Sequence, residues 1–159
     1  MHFEDKTLKA LLWVTGVLTK LEVPYRVGGG LAAHVYGSNR PVNDIDISLP
    51  GKYFDAIVPE VAEYITAGPK HYLNEKWDCD VLSLEYHGQE IDMTDIDTLR
   101  MSNKAKTEWF ATKDRYRKYP NLVVRVEGFD VSLIDPRDLV AYKKELDGDH
   151  QLVDIAAVE

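Results

Sequence analysis

The stretch Val27-Gly28-Gly29-Gly30-Leu31-Ala32, followed by Gly37-Ser38-Asn39-Arg40-Pro41-Val42-Asn43-Asp44-Ile45-Asp46-Ile47, decides how this chain is read. Tyr25-Arg26-Val27 reads as a short strand entering the glycines, and Leu31 to Tyr36 as a helix stopped by Gly37 in a C-cap role. A turn over Ser38 to Pro41 then leads into Asp44-Ile45-Asp46-Ile47-Ser48-Leu49, which alternates polar and apolar as a half-buried strand does. At strand period two, Asp44 and Asp46 point to one face. Two carboxylates roughly 5 Å apart repel by about 3 kcal/mol at an effective dielectric near 20. Such a pair is stable only if protons or a cation neutralise it.

Outward from this centre, the chain alternates helical and strand-like patterns. Upstream, Leu8, Leu11, Leu12, Thr15, Leu18 and Leu21 follow helical spacing, and Pro24 ends the run. Downstream, residues 53–66 carry Phe54, Ile57, Val58, Val61 and Ile65 as a second amphipathic helix. Val81 to Tyr86 and Gln89 to Thr94 read as a hairpin about His87-Gly88, which places Asp92 in its second arm. Leu122 to Val126 and Phe129 to Leu133 form another hairpin around Glu127-Gly128. Asp135 caps a closing helix with Pro136 at its first position. Residues 97–121 stay unplaced. Helices set among hairpins favour an α+β fold with a mixed β-sheet flanked by helices, as one domain over residues 1–159.

Composition narrows the class of protein. Hydrophobic residues make up 45% and charged residues 29% of 159 residues, which excludes a disordered or fibrous chain. No apolar run approaches the ~20 residues of a membrane span, and no cationic leader precedes the first helix, so a cytoplasmic protein without a membrane partner is expected. A lone Cys79 forbids an intrachain disulfide and has no general base in sequence reach. The formal charge of −8 argues against a general nucleic-acid coat. That charge is segregated, because Lys104 to Lys118 holds six basic and two acidic residues with Trp109, Phe110 and Tyr116 between them. Two readings of this segment stand: an RNA contact, or a solvated helix whose aromatics face the core.

The chemistry-bearing residues form a set. Oxygen ligands from Asp44, Asp46 and a third carboxylate on a neighbouring strand suit a hard ion, most often Mg²⁺. Two such ions can align an attacking hydroxyl and a leaving pyrophosphate. Amides at Gly29 and Gly30 are free to bind phosphate without a β-carbon in the way, and Arg40 offers a bidentate phosphate contact. A nucleoside triphosphate with Mg²⁺ satisfies all of these groups together. A dinucleotide fingerprint, Gly28-x-Gly30-x-x-Ala33 with Asp44 or Asp46 as the ribose acid, is disfavoured by the short helix and by Pro41 ahead of the acids. The five histidines lack zinc spacing.

These residues resemble the signature of the nucleotidyltransferase superfamily: a Gly-Gly or Gly-Ser pair, roughly ten residues, Asp-x-Asp in a strand, and a third carboxylate on a later strand. The resemblance is strongest to small bacterial members, including lincosamide-type antibiotic and toxin-like nucleotidyltransferases. Many of these read Arg-x-Thr-x-Asp-x-Asp, where this chain has Val42 in place of the hydroxyl residue. The tail from Asp135 to Lys143 and from Leu152 to Ile155 also resembles the end of such domains. A lysine recurs at the Lys143 position, and an acidic residue commonly stands where this chain has Gln151.

The resemblance implies transfer of a nucleoside monophosphate from an NTP to a hydroxyl on a small molecule, an RNA or a protein. It implies that Asp44, Asp46 and Asp92 hold two Mg²⁺ ions, with Asp92 helping to deprotonate the acceptor and Glu90 in reserve as base. Gly29, Gly30, Ser38 and Arg40 are implied to hold the triphosphate. Lys143 can reach a phosphate or stay a solvated helix lysine. The alternative is a nucleotide-binding or regulatory module without turnover. A homodimer is expected, because two small protomers can build one acceptor cleft between them.

Overall fold

The computed structural model describes residues 2–159. Among them, helix α1 (Asp5–Lys20) leads to strand β1 (Arg26–Val27), helix α2 (Gly29–Val35) and strand β2 (Asp44–Leu49). A 3₁₀ turn and helix α3 (Phe54–Val61) precede the long strands β3 (Ile65–Leu73), β4 (Trp77–Tyr86) and β5 (Gln89–Asp95). Short strands β6 (Arg100–Ser102) and β7 (Trp109–Ala111) follow, then the hairpin β8 (Leu122–Val126) and β9 (Phe129–Leu133). Helices α4 (Pro136–Lys143) and α5 (Asp149–Val158) close the chain. All nine strands join one sheet in the order β7-β6-β4-β5-β2-β1-β9-β8, with β3 pairing β4 off that path. The β1–β9 and β2–β5 pairs are parallel and the others antiparallel, so the α+β fold has the mixed sheet the sequence predicts.

The pleat divides the sheet into two faces. Ile45, Ile47, Leu49, Ile91, Met93, Leu82 and Leu84 point to one side and pack with Leu11, Val14 and Leu18 of α1 and Ile57 and Val61 of α3. The polar alternates of the same strands, including Asp44, Asp46 and Asp92, therefore share the other side. Leu12, expected on the buried stripe of α1, is 53% exposed, because the stripe runs through Leu11, Val14, Thr15 and Leu18. Asp135 caps α4 as expected, its carboxylate accepting from the Arg137 amide, with Pro136 in the first turn.

Two expectations change. The helix predicted over residues 53–66 ends at Val61, and Ile65 opens β3 after a 3₁₀ turn. Residues 97–121 contain β6, β7 and a 3₁₀ turn (Thr112–Asp114) and no α-helix, so the solvated-helix reading of Lys104 to Lys118 fails. Within this segment Phe110 and Tyr116 are buried and pack with Met101, Trp77 and Tyr142, while Trp109 stays part-exposed. No helix among the described residues is long and apolar enough to cross a membrane.

Candidate active site

Asp44 and Asp46 stand two residues apart on β2, and the parallel neighbour β5 sets Asp92 directly beside Asp46. Each of the three half-buried carboxylates offers an oxygen within 4.8 Å of the other two. Burial raises the pKa of Asp44, and the Asp92 and Glu90 carboxylates add to it. Burial pushes Asp46 up to about 7; Asp44 and Asp92 push the same way and the Lys143 charge opposes them. Three clustered carboxylate oxygens, with Asp44 and Asp46 both held above the usual carboxylate range, are a donor set that suits a hard divalent cation. Glu90 pairs with Asp44 across the sheet but is exposed at the rim, outside this cluster.

Gly29 closes one wall. It adopts φ +59°, and a β-carbon there would overlap the Asp46 Oδ2 and sit 3.0 Å from its Cγ. Glycine is thus required twice, for backbone conformation and for the approach of the Asp46 carboxylate. Gly30 lies in the first turn of α2 with open space where a side chain would go. Ser83 of β4 faces Asp92 in register and donates from Oγ to Asp92 Oδ1 at 2.7 Å. Sequence reasoning did not single it out. The two-residue turn at His87-Gly88 carries the signal, since it fixes Ser83 opposite Asp92.

Ser38, Arg40 and Lys143 converge on Asp154. Ser38 Oγ donates to Asp154 Oδ1 at 2.6 Å, and Arg40 Nη1 and Lys143 Nζ reach Oδ2 at 2.7 and 3.1 Å. Lys143 is buried (4% exposed), which overturns the solvated reading, and it also donates to Gln151 Oε1 at 3.1 Å. The charge sets Lys143 in the field of Asp46, whose pKa it draws down. Asp154, one helical turn beyond Gln151 on α5, is thus the carboxylate that partners Lys143. Its hydrogen bonds from Ser38 and Lys143, with the Arg40 charge, outweigh its burial and hold its pKa below the usual carboxylate value. His34 bonds the His2 and Arg40 carbonyls and is a satisfied structural histidine. Burial pushes Cys79 up to about 11, which disfavours a thiolate nucleophile.

A cleft of about 560 Å³ is lined by Gly28, Gly29, Asp46 and Asp92. Its lining also includes Arg26, Tyr72, Trp77, Cys79, Tyr116 and Tyr142, of which Arg26, Cys79 and Tyr116 are buried.

The fold is the one seen in solved structures of nucleotidyltransferases. Among solved structures, a protein of Thermotoga maritima assigned as a nucleotidyltransferase is 21% identical, with 90% of this chain and 86% of that one covered at a TM-score of 0.74. The lincosamide antibiotic adenylyltransferase LnuA, solved with lincomycin, is 13% identical over 99% of this chain and 98% of its own, with a TM-score of 0.62. The antibiotic-resistance factor ANT(2'')-Ia is 16% identical over 98% and 82%, with a TM-score of 0.56. Comparison of the sequence with protein-family models and with curated proteins gives no match.

Proposed function

We propose that this chain transfers a nucleoside monophosphate from a nucleoside triphosphate to the hydroxyl of a small molecule, releasing pyrophosphate. The observation that carries this reading is the cluster of Asp44, Asp46 and Asp92 within 4.8 Å, two of which, Asp46 and Asp92, line the cleft. These three carboxylates would hold Mg²⁺, which when bound supplies charge neutralisation at the transferring phosphoryl group. Asp92, oriented by Ser83, takes the proton of the acceptor hydroxyl. An oxygen–phosphorus bond to the α-phosphate forms as the bond to the β-phosphate's bridging oxygen breaks. Amides of Gly29 and Gly30, next to the Asp46 carboxylate, hold the phosphates. Ser38 and Arg40 support the loop that enters β2 through their bonds to Asp154, and Lys143 lends positive charge beside Asp46.

A small acceptor fits a cleft of this volume. The small acceptor is favoured over an RNA, since the basic segment meets part of its charge within the chain. Lys106 pairs with Glu75 and Asp147, Arg117 with Asp97, and Arg115 stacks on Phe110. Incubation with α-labelled NTPs, Mg²⁺ and hydroxylated antibiotics or tRNA tests the proposal, with light scattering reporting the expected self-association. Label transfer to a hydroxylated antibiotic, abolished by Asp44→Ala, is expected. Transfer that survives that substitution refutes the role of the acids. Mg-NTP binding without pyrophosphate release, whatever the acceptor, would make the chain a binding module.

A further inference from the structure

Arg26 immediately precedes Val27 and the glycines, yet its side chain lies deep in the cleft. On β1 it pairs with Ser48, which shares the face of Asp46. That register sets it one two-residue step, roughly 7 Å, further along the sheet than Asp46. The residue is 8% exposed and forms no ion pair among the described residues. Its one hydrogen bond runs from Nη1 to the Tyr116 carbonyl at 2.7 Å. The Asp138 carboxylate acts on it electrostatically, but Asp138 accepts from the Lys118 and Tyr119 amides instead. No buried side-chain polar atom among the described residues lacks a partner, so the remaining guanidinium N–H groups open onto the cleft. Tyr116 and Tyr142 line the same space.

A buried cation with no carboxylate bonded to it is costly unless something else supplies that contact. A guanidinium fork matches the two oxygens of a carboxylate or phosphate. The walls around it are aromatic, from Tyr72, Trp77, Tyr116 and Tyr142. We propose that the cleft around Arg26 is an acceptor subsite in which Arg26 binds an oxyanion of a small, flat, hydroxyl-bearing molecule. Arg26 would then set specificity for an acidic acceptor and orient its hydroxyl toward the acids. The assignment to an acceptor rests on the proposed nucleotidyl transfer; the oxyanion subsite itself does not. One ligand chemistry has two sources here, the acceptor's anionic group and the triphosphate, and the test separates them.

The full chain is titrated calorimetrically with 4-hydroxyphenylacetate, with its neutral amide, and separately with Mg-ATP. The carboxylate is expected to bind at least about ten-fold more tightly than the amide, the scale of a charge-assisted bond. Arg26→Met should erase that preference and leave Mg-ATP binding unchanged. Arg26→Lys should retain part of it, and circular dichroism checks that both variants fold. Equal binding of carboxylate and amide, a preference that survives Arg26→Met, or no carboxylate binding at millimolar concentration overturns the subsite. Loss of Mg-ATP binding in Arg26→Met assigns the arginine to the nucleotide and overturns the acceptor assignment. Turnover is not read here, so an intact preference beside absent label transfer would fault the proposed reaction alone.

Discussion

Replacing Asp154 by Ala removes the carboxylate on which three elements meet: the loop after α2, α4 and α5. Asp154 is 1% exposed, and it accepts from Ser38 and pairs with Arg40 and Lys143 at 2.6, 2.7 and 3.1 Å. Arg40 has solvent within reach, its side chain being 25% exposed, whereas that of Lys143 is 5% exposed. The loss is therefore dominated by the stranded lysine, left with the Gln151 amide oxygen as its one hydrogen-bond partner. Breaking a buried pair from one side costs about 3–5 kcal/mol. For a chain of this size each kcal/mol moves Tm by roughly 2–4 °C, so a fall of roughly 6–20 °C is expected. Urea unfolding at neutral pH measures the free energy directly, and Lys143→Met in the Asp154→Ala background should recover part of it. The folded-state pKa of Asp154 lies below its unfolded value. Its contribution is thus present above the unfolded value and lost as pH falls through the folded one, so the gap between the two proteins should close in strong acid. A loss under about 1 kcal/mol at neutral pH, or a double variant no better than the single one, refutes the argument that Lys143 depends on this partner.

Two further outcomes follow from the acids and the glycine beside them. Gly29→Ala meets both a positive φ and the Asp46 carboxylate; it should destabilise by at least ~1–2 kcal/mol and cut label transfer about 100-fold, while Gly30→Ala, with open space around it, should unfold no more readily than the parent. Equal stability of the two alanine variants would sink the steric reading. Asp46 has its folded pKa raised to about 7, so between its unfolded value and about 7 the folded state holds a proton the unfolded chain has released, and metal-free stability should fall as pH rises. The slope reaches at most ~1.4 kcal/mol per pH unit, and both Asp46→Asn and excess Mg²⁺ should flatten it; His71, raised by its bond to Asp80, is common to both proteins and drops out of the difference. Identical slopes in urea titrations with chelator would refute the crowded-carboxylate account.

What the sequence disclosed depended on whether a periodic signal survived. Asp44 to Leu49 alternates cleanly, and β2 has those bounds; the hairpin at Glu127-Gly128 is found where the turn residues put it. The site's acids were legible because strand period two and a two-residue turn fix register. By contrast β3 is interrupted by Gly68-Pro69 and by register shifts against β4, and none of its nine residues is fully buried, so no apolar alternation marks it. Strands β6 and β7, three residues each, are too short to show a period. Lys143 and Asp154 sit on separate short helices, and spacing along one helix cannot tell that the other covers it, so a solvated Lys143 stayed open and Asp154 went unmarked.

Arg26 was hidden for a different reason. A two-residue strand has no pattern of its own, and the face it presents is inherited from its partner β2. Because Ser48 shares the face of Asp46, Arg26 beside it points the same way, and the Tyr116 carbonyl meets its guanidinium. Its burial, at 8% exposure with the Tyr116 carbonyl on Nη1, is set by tertiary structure alone. The informative feature is the absence of an acidic partner among the described residues. Asp154 neutralises Arg40 and Lys143 on one flank of the site, whereas Arg26 keeps its N–H groups for the cleft. Positive charge thus falls into two roles, one holding the helices around the acids and one left open to a ligand, and only the second can select a substrate.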